Sequence, residues 1–163
     1  MAETTTGSFR IVDDALMDQV RDQARGSQRR RAVHRFHRYE EPVQRMLNAI
    51  EPESYVRPHK HESPDKIEAF LALRGRAAVV IFEADGAVRE VVLIAARGGT
   101  RGVEIGPRTY HSVISLESGT VLFEIGEGPY QPETHKHWAP WAPEEGTSEG
   151  NAYLDGLRKS LAI

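Results

Sequence analysis

Along most of the chain, apolar and polar positions alternate in short runs separated by turn residues. Ile67 to Leu73 alternates with a period of two and is broken by Arg74-Gly75. The same pattern recurs at Ala77 to Phe82, Val88 to Ile94, Val103 to Ile105, His111 to Leu116 and Thr120 to Ile125. Turns at Asp85-Gly86, Arg97 to Gly102, Gly106-Pro107 and Ser118-Gly119 divide these runs. Short strands at this spacing predict a mainly β sandwich or barrel. Upstream, Val43, Met46, Leu47 and Ile50 also fit a helix. A strand over Gln44 to Ile50 is preferred, because the turn Glu51 to Ser54 and the extended Tyr55 to His59 follow it.

Two segments carry the helical period instead. Val12, Leu16, Val20 and Ala24 fall four apart within Ile11 to Arg25, with Asp13 or Asp14 as cap and Gly26 as stop. Tyr153, Leu157 and Leu161 predict a short C-terminal helix over Asn151 to Ile163, weakened by Gly156. Between barrel and helix, residues 128–145 carry prolines and aromatics without periodicity and read as an irregular arm. The expected layout is an N-terminal helix and basic extension (1–40), a barrel (41–127), and the arm with its helix (128–163), forming one domain.

Composition narrows the chemistry. The 163 residues contain no cysteine, so any metal must rest on His and carboxylate ligands. No apolar run reaches transmembrane length, and the polar stretch Met1 to Arg10 lacks the hydrophobic part of a secretory signal, so a cytoplasmic protein without membrane partners is expected. A net charge of −3 argues against a nucleic-acid partner. The charge is uneven, however: Arg21, Arg25, Arg29, Arg30, Arg31, Arg35 and Arg38 face one acid, Asp22, over residues 21–38. Such a run is either a solvated face or an anion pocket, since arginine presents paired donors to carboxylate and phosphate oxygens.

The most specific signal is Pro58-His59-Lys60-His61, followed by Glu68, then Gly75 seven residues later, and a distant His111 behind Pro107-Arg108-Thr109-Tyr110. On an extended strand His59 and His61 face the same side. Glu68 and His111 open two further strands, so three imidazoles and one carboxylate can converge inside one barrel, in the order of a cupin metal site. This donor set suits one divalent transition metal ion (Zn, Fe, Mn or Ni) with open positions. Six residues separate His61 from Glu68, which leaves Glu62 as a competing carboxylate. Tyr55 and Arg57 precede His59 by four and two residues; if the strand extends back, both face the interior, and with Arg45 they are candidate catalytic residues of the pocket wall. Arg31, His34, His37, Trp138 and Trp141 are candidate substrate contacts, the tryptophans as planar surfaces for a ring. His135 and His137 are expected to be exposed to solvent.

Several stretches together resemble the WbuC family of cupin-fold metalloproteins: Arg29 to His37, Pro42 to Ala49, Tyr55 to His61, Leu73-Arg74-Gly75, Gly128-Pro129-Tyr130 and Ala139 to Pro143. The resemblance covers about residues 10–145. It implies a cupin barrel (double-stranded β-helix or jelly roll) after an N-terminal α-helical piece, with a metal at His59, His61, Glu68 and His111. It also implies a link to surface-polysaccharide metabolism.

The expected function is that of a metal-binding cupin enzyme, an isomerase, epimerase or oxygenase, acting on a small polar metabolite such as an anionic sugar or nucleotide sugar. Two alternatives belong to other classes: a carbohydrate or small-acid binding module without catalysis, and a metal-free, epimerase-like cupin using histidine as general base. A homodimer is expected, because an exposed sheet edge otherwise invites uncontrolled pairing.

Overall fold

The structure is a computed structural model and describes residues 9–163; the first eight residues of the N-terminal extension, and with them most of the polar stretch read for a signal, lie outside the described residues. Helix α1 (Asp14–Gly26) is followed by β1 (Arg31–Arg35), β2 (Val43–Ile50), β3 (His59–Lys60), β4 (Glu68–Arg74) and β5 (Arg76–Phe82). Then come β6 (Val88–Ala95), β7 (Gly102–Ile105), β8 (Tyr110–Ser115), β9 (Thr120–Glu127), β10 (His137–Trp138) and α2 (Ser148–Leu161).

The strands form two antiparallel five-stranded sheets, ordered β1-β2-β9-β4-β7 and β10-β3-β8-β5-β6. Alternation along each strand sends one set of side chains between the sheets. Ile50, Phe70, Ala72, Val79, Ile81, Ile94, Val113 and Leu122 fill that interior. The opposite faces are covered by the helices. Asp13 Oδ1 accepts from Leu16 N–H (2.9 Å) and starts α1, whose Val20 and Ala24 pack on Leu47, Ala49 and Val121. Leu154 of α2 packs with Tyr55 on Ala78, Val80, Phe82 and Ile114, so β5 is buried on both faces and reads as an unbroken apolar run.

Two strands depart from the sequence expectation. The basic extension supplies β1, an edge strand pairing with β2 from Arg31↔Ile50 to Arg35↔Met46, so the barrel begins before residue 41. The arm supplies β10, which pairs with β3 through His137↔Lys60 and Trp138↔His59. Among the described residues, no helix is long and apolar enough to cross a membrane.

Candidate metal centre and its pocket

Each donor of the centre is placed by a different strand end. His59 lies on β3, directly opposite His111 on β8; His61 follows β3, its backbone held by Arg108 N–H donating to its carbonyl (2.9 Å). Glu68 begins β4 on the facing sheet. All four side chains are buried, and one ligand atom from each lies within 4.8 Å of the others. Glu62 is not among them: its carboxylate meets Lys60 Nζ (2.9 Å) and lies 3.9 Å from His137 Nδ1, so the longer link leaves Glu68 as the carboxylate of the cluster.

The proton positions follow from the outer contacts. The Nδ1 atoms of His59, His61 and His111 sit 2.9, 2.6 and 2.9 Å from the carbonyl oxygens of Arg57, His135 and Thr109. A carbonyl only accepts, so each Nδ1 carries hydrogen and each Nε2 turns inward. Burial, with the nearby charge of Lys136, keeps the His59 imidazolium far below its ordinary range, so this ring is neutral and its Nε2 is a bare lone pair. The Nε2 atoms of His59 and His61 are buried without a hydrogen-bond partner. Glu68 Oε2 lies 2.9 Å from His111 Nε2 and 3.4 Å from His61 Nε2. Burial raises its carboxyl pKa, and the two ring nitrogens more than offset this and hold it well below the usual range. They do so only with positive charge between them and the carboxylate, as a proton or a metal ion. Donor type, Nε2 orientation and carbonyl-fixed tautomers together fit a divalent ion.

Above the centre lies a cavity of about 300 Å³. His59 and Glu68 reach it from below, Gln44, Met46, Asn48 and Glu124 from β2 and β9, Arg31, Val33 and Arg35 from β1, and Tyr130, His135, Lys136 and Trp138 from the arm. Glu124 was not singled out by sequence, although an acid inside the apolar run Val121 to Ile125 is a signal of a polar interior. Burial, and then the neighbouring Glu68, push its carboxyl up to about 8, and Asn48 Nδ2 donates to its Oε2 (2.8 Å). His135 is half-buried rather than exposed: its carbonyl fixes His61, its ring lies 4.6 Å from Tyr130, and burial lowers its pKa to about 4.

Several expected pocket residues lie elsewhere. Tyr55 does not face the interior, because residues 51–58 form no ladder and the period of two does not extend back from His59. Its hydroxyl donates to the Pro143 carbonyl (3.1 Å) under α2. Arg57 approaches Glu144 (3.9 Å) and lies over the Trp138 ring, outside the cavity lining. Arg45 is on the other face of β2 from Gln44 and Met46, paired with Glu41. His34 is on the helix-side face of β1, edge-on to Phe36. Trp141 packs on Phe82 and donates from Nε1 to the Ala84 carbonyl (3.1 Å), covering the barrel instead of lining the pocket.

Arg31, His37 and Trp138 do line the cavity. Arg31 is already engaged: it donates to Glu145 Oε2 (2.6 Å), Ser54 Oγ (3.1 Å) and the Tyr55 carbonyl (2.9 Å). Glu145 also receives Arg29 (2.7 Å) and the Arg57 N–H (3.1 Å). Arg31→Ala is therefore expected to cost about 2 kcal/mol in a denaturant melt, because it leaves a half-buried carboxylate short of its main partner. A loss below about 0.5 kcal/mol, the size of an ordinary surface change, would refute the structural role of this guanidinium.

Comparison with solved structures gives the same architecture. CapF with the inhibitor 3-isopropenyl-tropolone matches with a TM-score of 0.56 at 16% identity, over 69% of this chain and 32% of that one. CapF from Staphylococcus aureus, described as a capsular polysaccharide assembling protein, matches at 0.54 and 16% identity over 69% and 30%. A cupin superfamily protein from Desulfitobacterium hafniense matches at 0.47 and 10% identity over 60% and 76%. The fold is a cupin, and the chain spans about a third of the length of the CapF structures. No curated protein matches the sequence. The family model that matches is not WbuC. It is the one described as Domain of unknown function (DUF6016), which covers residues 12–94, half of the chain including His59, His61 and Glu68, and the protein belongs to that family.

Proposed function

We propose that the protein is a metal-dependent cupin enzyme acting on a small, polar, anionic metabolite of about monosaccharide size. One observation carries this reading: three carbonyl-fixed histidines present Nε2 to a buried carboxylate at the floor of an open cavity. His59, His61, Glu68 and His111 would hold the ion. When bound, it supplies Lewis acidity for a carbonyl or hydroxyl oxygen. The chain's own groups do the rest: Glu124 and Asn48 offer hydrogen bonds beside the centre, and Tyr39, Tyr130 and Trp138 give the cavity aromatic walls.

Cavity size narrows the substrate. At about 30 Å³ per water molecule, a volume of about 300 Å³ holds roughly ten waters. A free sugar or small acid fits, whereas the nucleotide of a nucleotide sugar would have to lie outside. A role in surface-polysaccharide metabolism rests on the WbuC resemblance alone, since the CapF likeness speaks only for the fold. A homodimer belongs to the same proposal. Ile67, Leu71 and Leu73 leave exposed apolar surface along β4, which a second copy could cover, and light scattering tests it by mass.

The test is elemental analysis of the purified protein, followed by turnover on a panel of free sugars, sugar acids and keto acids. About one transition metal per chain with turnover is expected. Metal without turnover would leave a binding module. The 2.9 Å contact of His111 with Glu68 favours one other reading, a metal-free histidine-carboxylate base; turnover that survives complete metal removal would establish it.

A further inference from the structure

Four cationic side chains line the cavity, and they fall into two pairs. Arg29 and Arg31 share Glu145 Oε2. Arg35 and Lys136 form no ion pair within 4 Å of a carboxylate among the described residues. The Arg35 guanidinium lies over the Tyr39 ring (5.4 Å to its centre), and Lys136 Nζ lies 5.7 Å from the centre of the Trp138 ring. His37 lines the same cavity with its Nε2 buried and without a partner, while its Nδ1 lies 2.7 Å from the Arg45 nitrogen and 2.8 Å from the Arg45 carbonyl oxygen. The two cations come from β1 and from the arm, on separate elements around one opening.

Charge at the centre points the same way. Three neutral imidazoles, one carboxylate and a divalent ion leave a net positive charge; Glu145 cancels only one of the two guanidiniums it binds, and Arg35 and Lys136 add two more. A low-dielectric cavity with this excess favours a negative ligand, and Arg35 and Lys136 are donors free to meet it.

We propose that Lys136 and Arg35 form an oxyanion subsite beside the metal centre, holding the carboxylate or phosphate of the small metabolite while the rest of that molecule lies toward the ion. The subsite rests on the metal-dependent reading given above. Lys136 and Arg35 are positioning residues for substrate, and neither touches the ligand set.

The test uses metal-loaded protein titrated calorimetrically with two probes, inorganic phosphate and pyruvate, at low and moderate salt, with metal content measured on every sample. Wild type is expected to bind at least one probe, more weakly as salt rises. Binding of phosphate alone assigns a phosphorylated ligand, and of pyruvate alone a carboxylic acid. Lys136→Met should weaken binding at least tenfold, with Lys136→Arg restoring most of it, and Arg35→Gln should weaken it several-fold. Circular dichroism and metal content should be unchanged in all three. Unaltered affinity in Lys136→Met and Arg35→Gln would overturn the subsite, since the anion would then be sitting on the metal or elsewhere. Failure of wild type to bind either probe would overturn it too. Purified wild type without metal that still binds the probes through Lys136 would sink the metal-dependent reading and leave the subsite standing.

Discussion

His61→Ala is expected to lower metal affinity by at least about 100-fold while the barrel stays folded. Replacing even the outer partners of metal-binding histidines typically costs about 10–100-fold, and His61 would be a ligand itself. The fold is expected to survive because the ion is not what holds it together: Leu122, Val79, Ile94 and Ile50 close the space between the sheets, and a helix packs on part of each outer face. Two measurements separate the outcomes. A chelator should lower the melting temperature of wild type, where bound metal stabilises by mass action, and leave that of His61→Ala unchanged. Circular dichroism of the variant should match wild type. Loss of the β signal together with the metal would make the ion a structural element and would count against the enzyme reading.

Much of the fold was legible because a strand with one face inward writes that fact in its residues. In β4 the buried positions Glu68, Phe70 and Ala72 alternate with Ala69, Leu71 and Leu73, and Glu68 was readable as an inward carboxylate from its place in that series. The three histidines were readable through spacing and turns. β1 was not, because its inward side chains, Arg31, Val33 and Arg35, line a polar pocket, so the usual apolar marking of the interior face is missing. The same inversion turned part of a basic run, which resembles a solvated face, into pocket wall.

Two of the errors at the site share one cause: a periodicity was extended past the ladder that enforces it. Tyr55 and Arg57 were placed by counting back from His59, but residues 51–58 form no strand, and Tyr55 turns out under α2. In the arm no period exists to count. Trp138 pairs with His59 on β10 and reaches the pocket, whereas Trp141, three residues on, is drawn onto Phe82 by apolar surface. His135 gained its place from its backbone carbonyl, a group that no side-chain pattern reveals.

Gly75 was read as the residue that ends a strand and closes the metal motif, and the structure gives it a sharper duty with a large expected cost of substitution. It joins β4 to β5 at φ +71°, in the left-handed region, and a Cβ built there would lie 2.5 Å from Thr120 Oγ1 and 3.0 Å from Thr120 Cα. Thr120 cannot retreat, being fully buried with its hydroxyl bonded to the carbonyls of Arg76 (3.1 Å) and Glu117 (2.8 Å). Gly75→Ala therefore combines a left-handed backbone penalty of roughly 1–2 kcal/mol with an overpacking cost of roughly 1–3 kcal/mol. The expected total of about 2–5 kcal/mol is a large part of the stability of a domain, about 5–15 kcal/mol. Gly98 supplies the control: its φ is +69°, yet nothing lies within 4 Å of its Cβ position, so Gly98→Ala should show only the backbone part. Denaturant melts of the two variants give the packing cost by difference. Equal losses would mean that the Thr120 contact gives way freely, and the close approach of β4 to β9 at this corner would then not be what requires glycine. If Gly75→Ala still folds, it should bind metal with wild-type stoichiometry, since the strained corner contributes no donor to the centre.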